Sequence, residues 1–299
     1  MSLERPVLEN KPLNRDAPDT RRDPVTIRTI RDMARRGDPF ACLACYDAIS
    51  ARWLERAGVH VLLAGDSAAE IVLGLPRTIH MPLELSIWLT AALKRGAPST
   101  LVMADMPFMS YQTGDDQGVT NAGRFMTEGT ADIVKIEADA SFAPLTDRLT
   151  RAGIPVCAHV GSLPQRAAMR GGYSSAGRTA DQAQHIINDA IALEAAGAAM
   201  ILIEAVPNVV ADTIIDRTKV PVIGIGAGPK CHGQILVLHD LLGLTDHAPR
   251  FADPTASMGR DMVSAVQTWL DRVARREVGA RPYTMPPDQA QRLERALKP

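Results

Sequence analysis

The sequence predicts a (β/α)8 barrel, a closed ring of eight parallel strands each followed by a helix. Three observations carry this expectation. Eight short apolar runs recur along the 299-residue chain, at Phe40–Asp47, Val59–Asp66, Thr100–Asp105, Asp132–Glu137, Val156–His159, Met200–Glu204, Val220–Gly224 and Gln234–Asp240. Most are separated by a stretch long enough for a helix, the alternation of a parallel α/β fold. Several end on a carboxylate, lysine or histidine, namely Asp66, Asp105, Lys135, Glu137, His159 and Glu204. Barrels of this kind place their active sites at the C-terminal ends of their strands.

The elements follow in order. Residues 1–24 are rich in Pro, Asn, Asp and Arg and predict an extended arm, disordered or draped over a neighbour. Ile27, Ile30 and Met33 recur at helical spacing, so residues 25–36 predict a helix covering one end of the barrel. Strand one, Phe40–Tyr46, leads into a helix over Ala48–Ala57, and Gly58 breaks it before strand two, Val59–Ala64. Residues 68–82 carry Gly74, Pro76 and Pro82 and predict a loop, followed by a helix over Glu84–Arg95. Strand three is Thr100–Asp105, and a helix over Gly118–Glu128 leads to strand four, Ile133–Glu137. A helix over Phe142–Ala152 precedes strand five, and the long glycine-bearing connection Gly161–Arg178 predicts a mobile cover or substrate loop. Helix 180–196, strand Met200–Glu204, helix Val209–Arg217, strand Val220–Ile225 and strand Ile235–Leu238 complete the barrel. A helix over Ala256–Arg275 follows. The expected organisation is an arm over 1–24, a barrel domain over 25–277 and a C-terminal tail, helical or mobile, over 278–299.

Composition narrows the function. The formal charge is −1, from 33 basic and 34 acidic residues, so no strong field is available to hold nucleic acid or an anionic membrane. Aromatic content of 4% also weakens any base-stacking role. No run of 18 apolar residues suggests a membrane span, and the N-terminus lacks the apolar segment of a secretory signal. Cys42 and Cys45 form a C-x-x-C on a strand, where residues three apart face opposite ways and cannot easily share a metal. Buried free thiols in a reducing cytoplasm are the simplest expectation.

Asp66, Asp105 and Glu137 end successive strands and are candidate ligands for Mg2+, which keeps several waters and needs few carboxylates. Asp at such a junction can also cap the following helix. Alternation puts Lys135 on the same strand face as Glu137. Lys135 could bind a substrate carboxylate, or pair with Glu137 structurally. Ser67 could donate to a substrate oxygen. His159 could donate to a developing oxyanion or be held in place by hydrogen bonds. Glu204 stands alone after an apolar strand and is a candidate general base. Gly224-Ile225-Gly226-Ala227-Gly228 suits either an anion loop or close chain packing. His239-Asp240 suits packing support or the site itself. Because Asp105 ends a strand, outside the packed barrel layers, its removal is expected to cost little stability.

Several motifs together resemble ketopantoate hydroxymethyltransferases. They are Gly65-Asp66-Ser67, Arg95-Gly96-Ala97-Pro98, Ala104–Tyr111, Val134–Glu137, Gly171-Gly172-Tyr173, Leu193–Gly197, Gly224–Gly228 and Gly233–Gly243, spanning about Phe40 to Ala252. The resemblance implies a barrel of the phosphoenolpyruvate/pyruvate type. It implies hydroxymethyl transfer from 5,10-methylenetetrahydrofolate to the oxoacid 3-methyl-2-oxobutanoate, giving 2-dehydropantoate in pantothenate biosynthesis. It further implies Mg2+ at Asp66, Asp105 and Glu137, oxoacid contacts from Asp66, Ser67, Asp105 and Lys135, and Glu204 as proton acceptor. Homo-oligomers, often decamers, are implied as well. The chain departs from the family pattern at Ala68-Ala69-Glu70, Trp88-Leu89-Thr90, Ser174-Ser175-Ala176 and His232. The competing readings are another Mg2+-dependent 2-oxoacid lyase or decarboxylase of the phosphoenolpyruvate mutase and isocitrate lyase group, or a non-catalytic oxoacid binder.

Overall fold

The computed structural model describes residues 22–246, 248–279 and 283–298, so the proposed arm lies outside the described residues through residue 21. Eight parallel strands close into a barrel in sequential order. They are β1 (Phe40–Ala44), β2 (Val61–Ala64), β3 (Leu101–Asp105), β4 (Ile133–Glu137), β5 (Val156–Gly161), β6 (Met200–Glu204), β7 (Val222–Ile225) and β8 (Gly233–Val237). The helices are α1 (Ile27–Arg36), α2 (Ala48–Arg56), α3 (Ala68–Ile71), α4 (Leu83–Gly96), α5 (Asp115–Thr127), α6 (Ala143–Arg151), α7 (Ala180–Ala195), α8 (Asn208–Arg217), α9 (Leu238–Leu241), α10 (Met258–Ala274) and α11 (Pro287–Ala296). Among the described residues no helix is long and apolar enough to cross a membrane.

Strand periodicity divides the core into two parts. Phe40, Cys42, Val61, Leu63, Leu101, Met103, Ile133, Cys157, Leu202 and Ile223 form the barrel interior. The alternate residues, such as Val102, Val134, Ala158 and Ile201, pack outward against the helices. Because side chains alternate with a period of two, the interior positions continue upward to Asp105, Lys135, Glu137, His159 and Glu204. The apolar layers therefore lead directly to the polar cluster at the C-terminal ends. The opposite end is closed by α1. Its Ile30 is fully buried against the interior, and Val25 N–H donates to Ser99 O just before β3.

Two expected loops are more ordered than the glycines suggested. Residues 68–82 contain α3 and a 3-10 turn at Thr78–His80. The Gly161–Arg178 connection contains a 3-10 helix at Pro164–Arg170, with Gln165 and Ala167 buried. The first half of that connection is a fixed wall of the site, because Gln165 is hydrogen-bonded into it; exposure is concentrated in 168–175. All four cysteines are free and buried, with Cys42 in the interior and Cys45 on the outer side of β1.

Candidate active site

Asp66, Ser67, Asp105, Lys135, Glu137, His159 and Glu204 line one cavity of about 820 Å3 at the barrel mouth. Strand register explains their contacts. Asp105 of β3 is the register partner of Lys135 of β4, and Glu137 is the partner of His159 of β5. Lys135 Nζ lies 2.7 Å from Asp105 Oδ1, with both side chains 5% exposed or less. The backbone N–H of Asp66 donates to Asp105 Oδ2 at 3.1 Å. Neither carboxylate caps a helix; that role falls to Asp47, whose Oδ1 accepts from Ile49 N–H and Ser50 N–H at 2.8 Å each. Asp105 itself is 1% exposed, so the expectation that it could be removed at little cost is corrected: it is the ion-pair partner of a buried lysine.

Burial sets the charge states. Burial and the charge of Asp66 push the Asp105 carboxyl up to about 7, against the pull of Lys135. Burial also raises Glu137 well above the usual carboxylate range, Lys135 partly offsetting it. Lys135 is raised by its carboxylate neighbours, which overcome its own desolvation, and stays an ammonium. Burial, aided by Lys135, lowers His159 and keeps its imidazole neutral. His159 Nδ1 sits 3.4 Å from Lys135 Nζ, which can only donate, so Nδ1 accepts and the ring proton belongs on Nε2. That Nε2–H faces Glu204 Oε2 at 3.4 Å. Glu204 is the more accessible of these carboxylates, its side chain 21% exposed. The next residue, Ala205, has φ of 48°, a left-handed conformation unusual for a residue with a Cβ.

Two residues that sequence reasoning missed hold this cluster together. Gln165 Nε2 donates to Asp66 Oδ2 at 2.9 Å and to Met106 O at 3.1 Å. Its backbone N–H donates to Glu137 Oε2 at 3.0 Å. Its Oε1 accepts from Tyr111 Oη at 3.0 Å and from Gln112 Nε2 at 3.1 Å. The Tyr111 hydroxyl also accepts from Glu137 N–H at 3.0 Å. The only sequence signal for Gln165 was a polar residue after Pro164 inside a loop already suspected of touching substrate. Ser67 Oγ meets Tyr46 Oη at 2.8 Å. The Gly224–Gly228 segment is explained by packing. A Cβ on Gly226 would lie 2.7 Å from the Phe251 ring, and one on Gly228 would meet Asn208 at the same distance. Asp240 lines the cavity and accepts from Thr245 Oγ1 at 2.6 Å, whereas the His239 ring packs at a tilt of 36° against Tyr46.

The donor set suits a hard cation. Asp105 Oδ1 and Glu137 Oε1 are buried without an aligned hydrogen bond, and three carboxylates share the single ammonium of Lys135. Among the described residues no three His, Cys, Asp or Glu side chains already close around a common point. One or two carboxylates completed by water and substrate oxygens is the usual shell of Mg2+, and these residues fit that arrangement.

Comparison with known proteins decides the family. The family profile described as ketopantoate hydroxymethyltransferase matches residues 24–280. The chain belongs to the ketopantoate hydroxymethyltransferase family. It is therefore an enzyme, a hydroxymethyltransferase. The 3-methyl-2-oxobutanoate hydroxymethyltransferase of Halorhodospira halophila is 45% identical over 249 residues, covering 83% of this chain and 90% of that protein. The protein of the same name from Hyperthermus butylicus is 44% identical over 252 residues, covering 84% and 87%. Among solved structures, phosphonopyruvate hydrolase with oxalate and Mg2+ superposes with a TM-score of 0.57 at 18% identity, over 91% of this chain and 97% of that one. The 2,3-dimethylmalate lyase of the PEP mutase/isocitrate lyase superfamily gives 0.54 at 18% identity, over 91% and 99%. At such identity the likeness is one of fold.

Proposed function

We propose that the chain transfers a hydroxymethyl group from 5,10-methylenetetrahydrofolate to 3-methyl-2-oxobutanoate, giving 2-dehydropantoate for pantothenate synthesis. The observation that carries this reading is the division of labour in the cavity. One carboxylate, Glu204, reaches the solvent-facing side and touches the buried ion cluster only through neutral His159. The relatives named for this reaction support it.

Asp105 and Glu137, with Asp66 beside them, are the residues that would hold Mg2+. When bound, the ion supplies Lewis-acid polarisation of the oxoacid's keto group. Lys135, a buried ammonium, neutralises the substrate carboxylate. Ser67, anchored by Tyr46, offers a hydroxyl beside it. Glu204 accepts the C3 proton, with His159 Nε2 3.4 Å from its Oε2 but not aligned into a hydrogen bond. The C3 electron pair then forms a C–C bond to the donor's one-carbon unit. Both bonds from that carbon to folate nitrogen break, and water supplies the hydroxyl oxygen.

We further propose a homo-oligomer. No residue of α10 is buried, and Met262, Val263, Val266, Trp269, Leu270 and Val273 form an exposed apolar stripe at helical spacing. A second copy of the chain is the occupant that would cover it.

The test is Glu204→Gln, which keeps size and hydrogen bonding but removes basicity. Oxoacid and Mg2+ should still bind by calorimetry. Deuterium exchange at C3 and product formation should both fall by about 10²–10⁴-fold. Exchange at the wild-type rate would remove Glu204 as the base, and a product other than 2-dehydropantoate would replace the reaction.

A further inference from the structure

The cavity is too large and too unevenly charged for the oxoacid alone. A five-carbon oxoacid is much smaller than the drug-sized ligands that fill cavities of about 300–1,000 Å3. Here about 820 Å3 is available. Its floor is acidic around Lys135, whereas the only other cation on its wall among the described residues is Arg250, at the rim. Arg250 is exposed and has no carboxylate partner among the described residues. Its neighbour Phe251 also lines the cavity and is 37% exposed.

Phe251 is fixed where the second substrate must approach. Glu204 of β6 is the register partner of Ile225 of β7. Gly226 follows Ile225 at φ of 57°, and the Phe251 ring occupies the space a Cβ there would take. A flat aromatic face thus stands one residue above the strand partner of the proposed base. Tyr173 lines the same cavity, half exposed and held by its hydroxyl's 2.9 Å hydrogen bond to Glu70 Oε1.

We infer that this rim is the subsite of the one-carbon donor, with Phe251 stacking against the planar rings of the folate and Arg250 pairing with its glutamate carboxylates. This inference rests on the folate-dependent reading above. The chemistry matches end for end. The oxoacid's single carboxylate goes to Lys135 at depth, and the donor's carboxylates go to the one rim cation. The aromatic body between them needs a π-face near Glu204, because its methylene carbon must reach C3 of the oxoacid.

The experiment separates the two half-reactions. Arg250→Gln and Phe251→Leu should leave Mg2+-dependent C3 deuterium exchange of the oxoacid, measured without folate, at the wild-type rate. The KM for 5,10-methylenetetrahydrofolate should rise about tenfold for Arg250→Gln and about two- to tenfold for Phe251→Leu. Arg250→Lys should recover most of the loss. With 5,10-methylenetetrahydropteroate, which lacks the glutamate, the unmodified enzyme should already show the raised KM, and Arg250→Gln should add nothing. Intact transfer with unchanged donor KM in both variants would overturn the subsite, as would an equal Arg250 effect on both donors or loss of exchange in either variant. Failure of the unmodified enzyme to use folate while it still exchanges C3 would overturn the functional reading and the subsite with it.

Discussion

Gln165→Leu tests whether the geometry of the acidic cluster is imposed by one amide. The side chain donates to a carboxylate, Asp66, and to a backbone carbonyl, Met106 O, both in buried surroundings. A hydrogen bond to a charged group contributes about 1.5–3 kcal/mol, and a neutral one about 0.5–1.5 kcal/mol. Leucine has similar volume and reaches neither acceptor, so the two donated bonds alone set an expected destabilisation of about 2–4.5 kcal/mol. For a protein of this size that corresponds to a fall in Tm of very roughly 5–15 °C. The backbone N–H of residue 165 still reaches Glu137, so the wall itself should persist. Thermal unfolding reads the stability, and calorimetry of oxoacid with Mg2+ reads the site. Gln165→Glu provides the chemical contrast: it keeps the shape but sets a second carboxylate where the amide lay 2.9 Å from Asp66 Oδ2. It should be at least as damaging near neutral pH and partly recover as the pH falls and a carboxyl proton replaces the amide donor. A Tm within 1 °C of wild type in Gln165→Leu, with unchanged oxoacid affinity, would refute the argument.

Asp105→Asn should abolish Mg2+-dependent oxoacid binding and also lower stability, by less than the roughly 3–5 kcal/mol of a fully stranded buried charge, because Asp66 and Glu137 still face Lys135; binding and melting measured on the same sample check both. The raised Asp105 and Glu137 carboxyls bind more protons folded than unfolded, so the stability they add is present at low pH and lost as pH rises through about 7 and beyond. His159 shifts downward and acts in the opposite sense only near and below its ordinary value of 6.5, so as pH rises from there through about 7 the carboxyls dominate. Metal-free melting temperature should therefore fall over that interval, and Mg2+ should flatten the slope; a rising metal-free profile would contradict the charge assignment. Oxoacid with Mg2+ should slow hydrogen exchange in residues 171–175 more than in residues 163–167, which are already tied down through Gln165; uniform protection would argue against a cover confined to the tip. Trp269→Glu should shift the assembly to smaller species by light scattering if α10 joins copies of the chain, and an unchanged mass would remove α10 from the interface.

The barrel was legible because its strands are short, apolar and separated by helix-length intervals, and each carries its own punctuation in Gly and Pro. Lys135 and Glu137 were legible as a pair on one face, since alternation along a strand is a local property. The order inside residues 68–82 and 161–178 was not, because Gly74, Pro76, Gly171 and Gly172 read as breakers whatever the surrounding contacts supply. Gln165 was missed for the same reason. Its bonds run to Asp66, Met106, Tyr111 and Glu137, distant along the chain, and no local pattern marks a residue whose partners are nonlocal.

The sequence by itself determined the strand periods, and with them which residues point into the barrel and at which height. It also determined the chemical inventory at the strand ends, because side-chain type and position along a strand require no knowledge of neighbours. Tertiary structure alone decided the pairing: that Asp105 meets Lys135, that neutral His159 stands between Lys135 and Glu204, and that burial lifts two carboxyls while leaving Lys135 charged. The physical reason is that ionisation and hydrogen bonding depend on distance and dielectric environment. Both are set only when closure of the barrel brings the ends of β3, β4, β5 and β6 side by side and excludes water from between them.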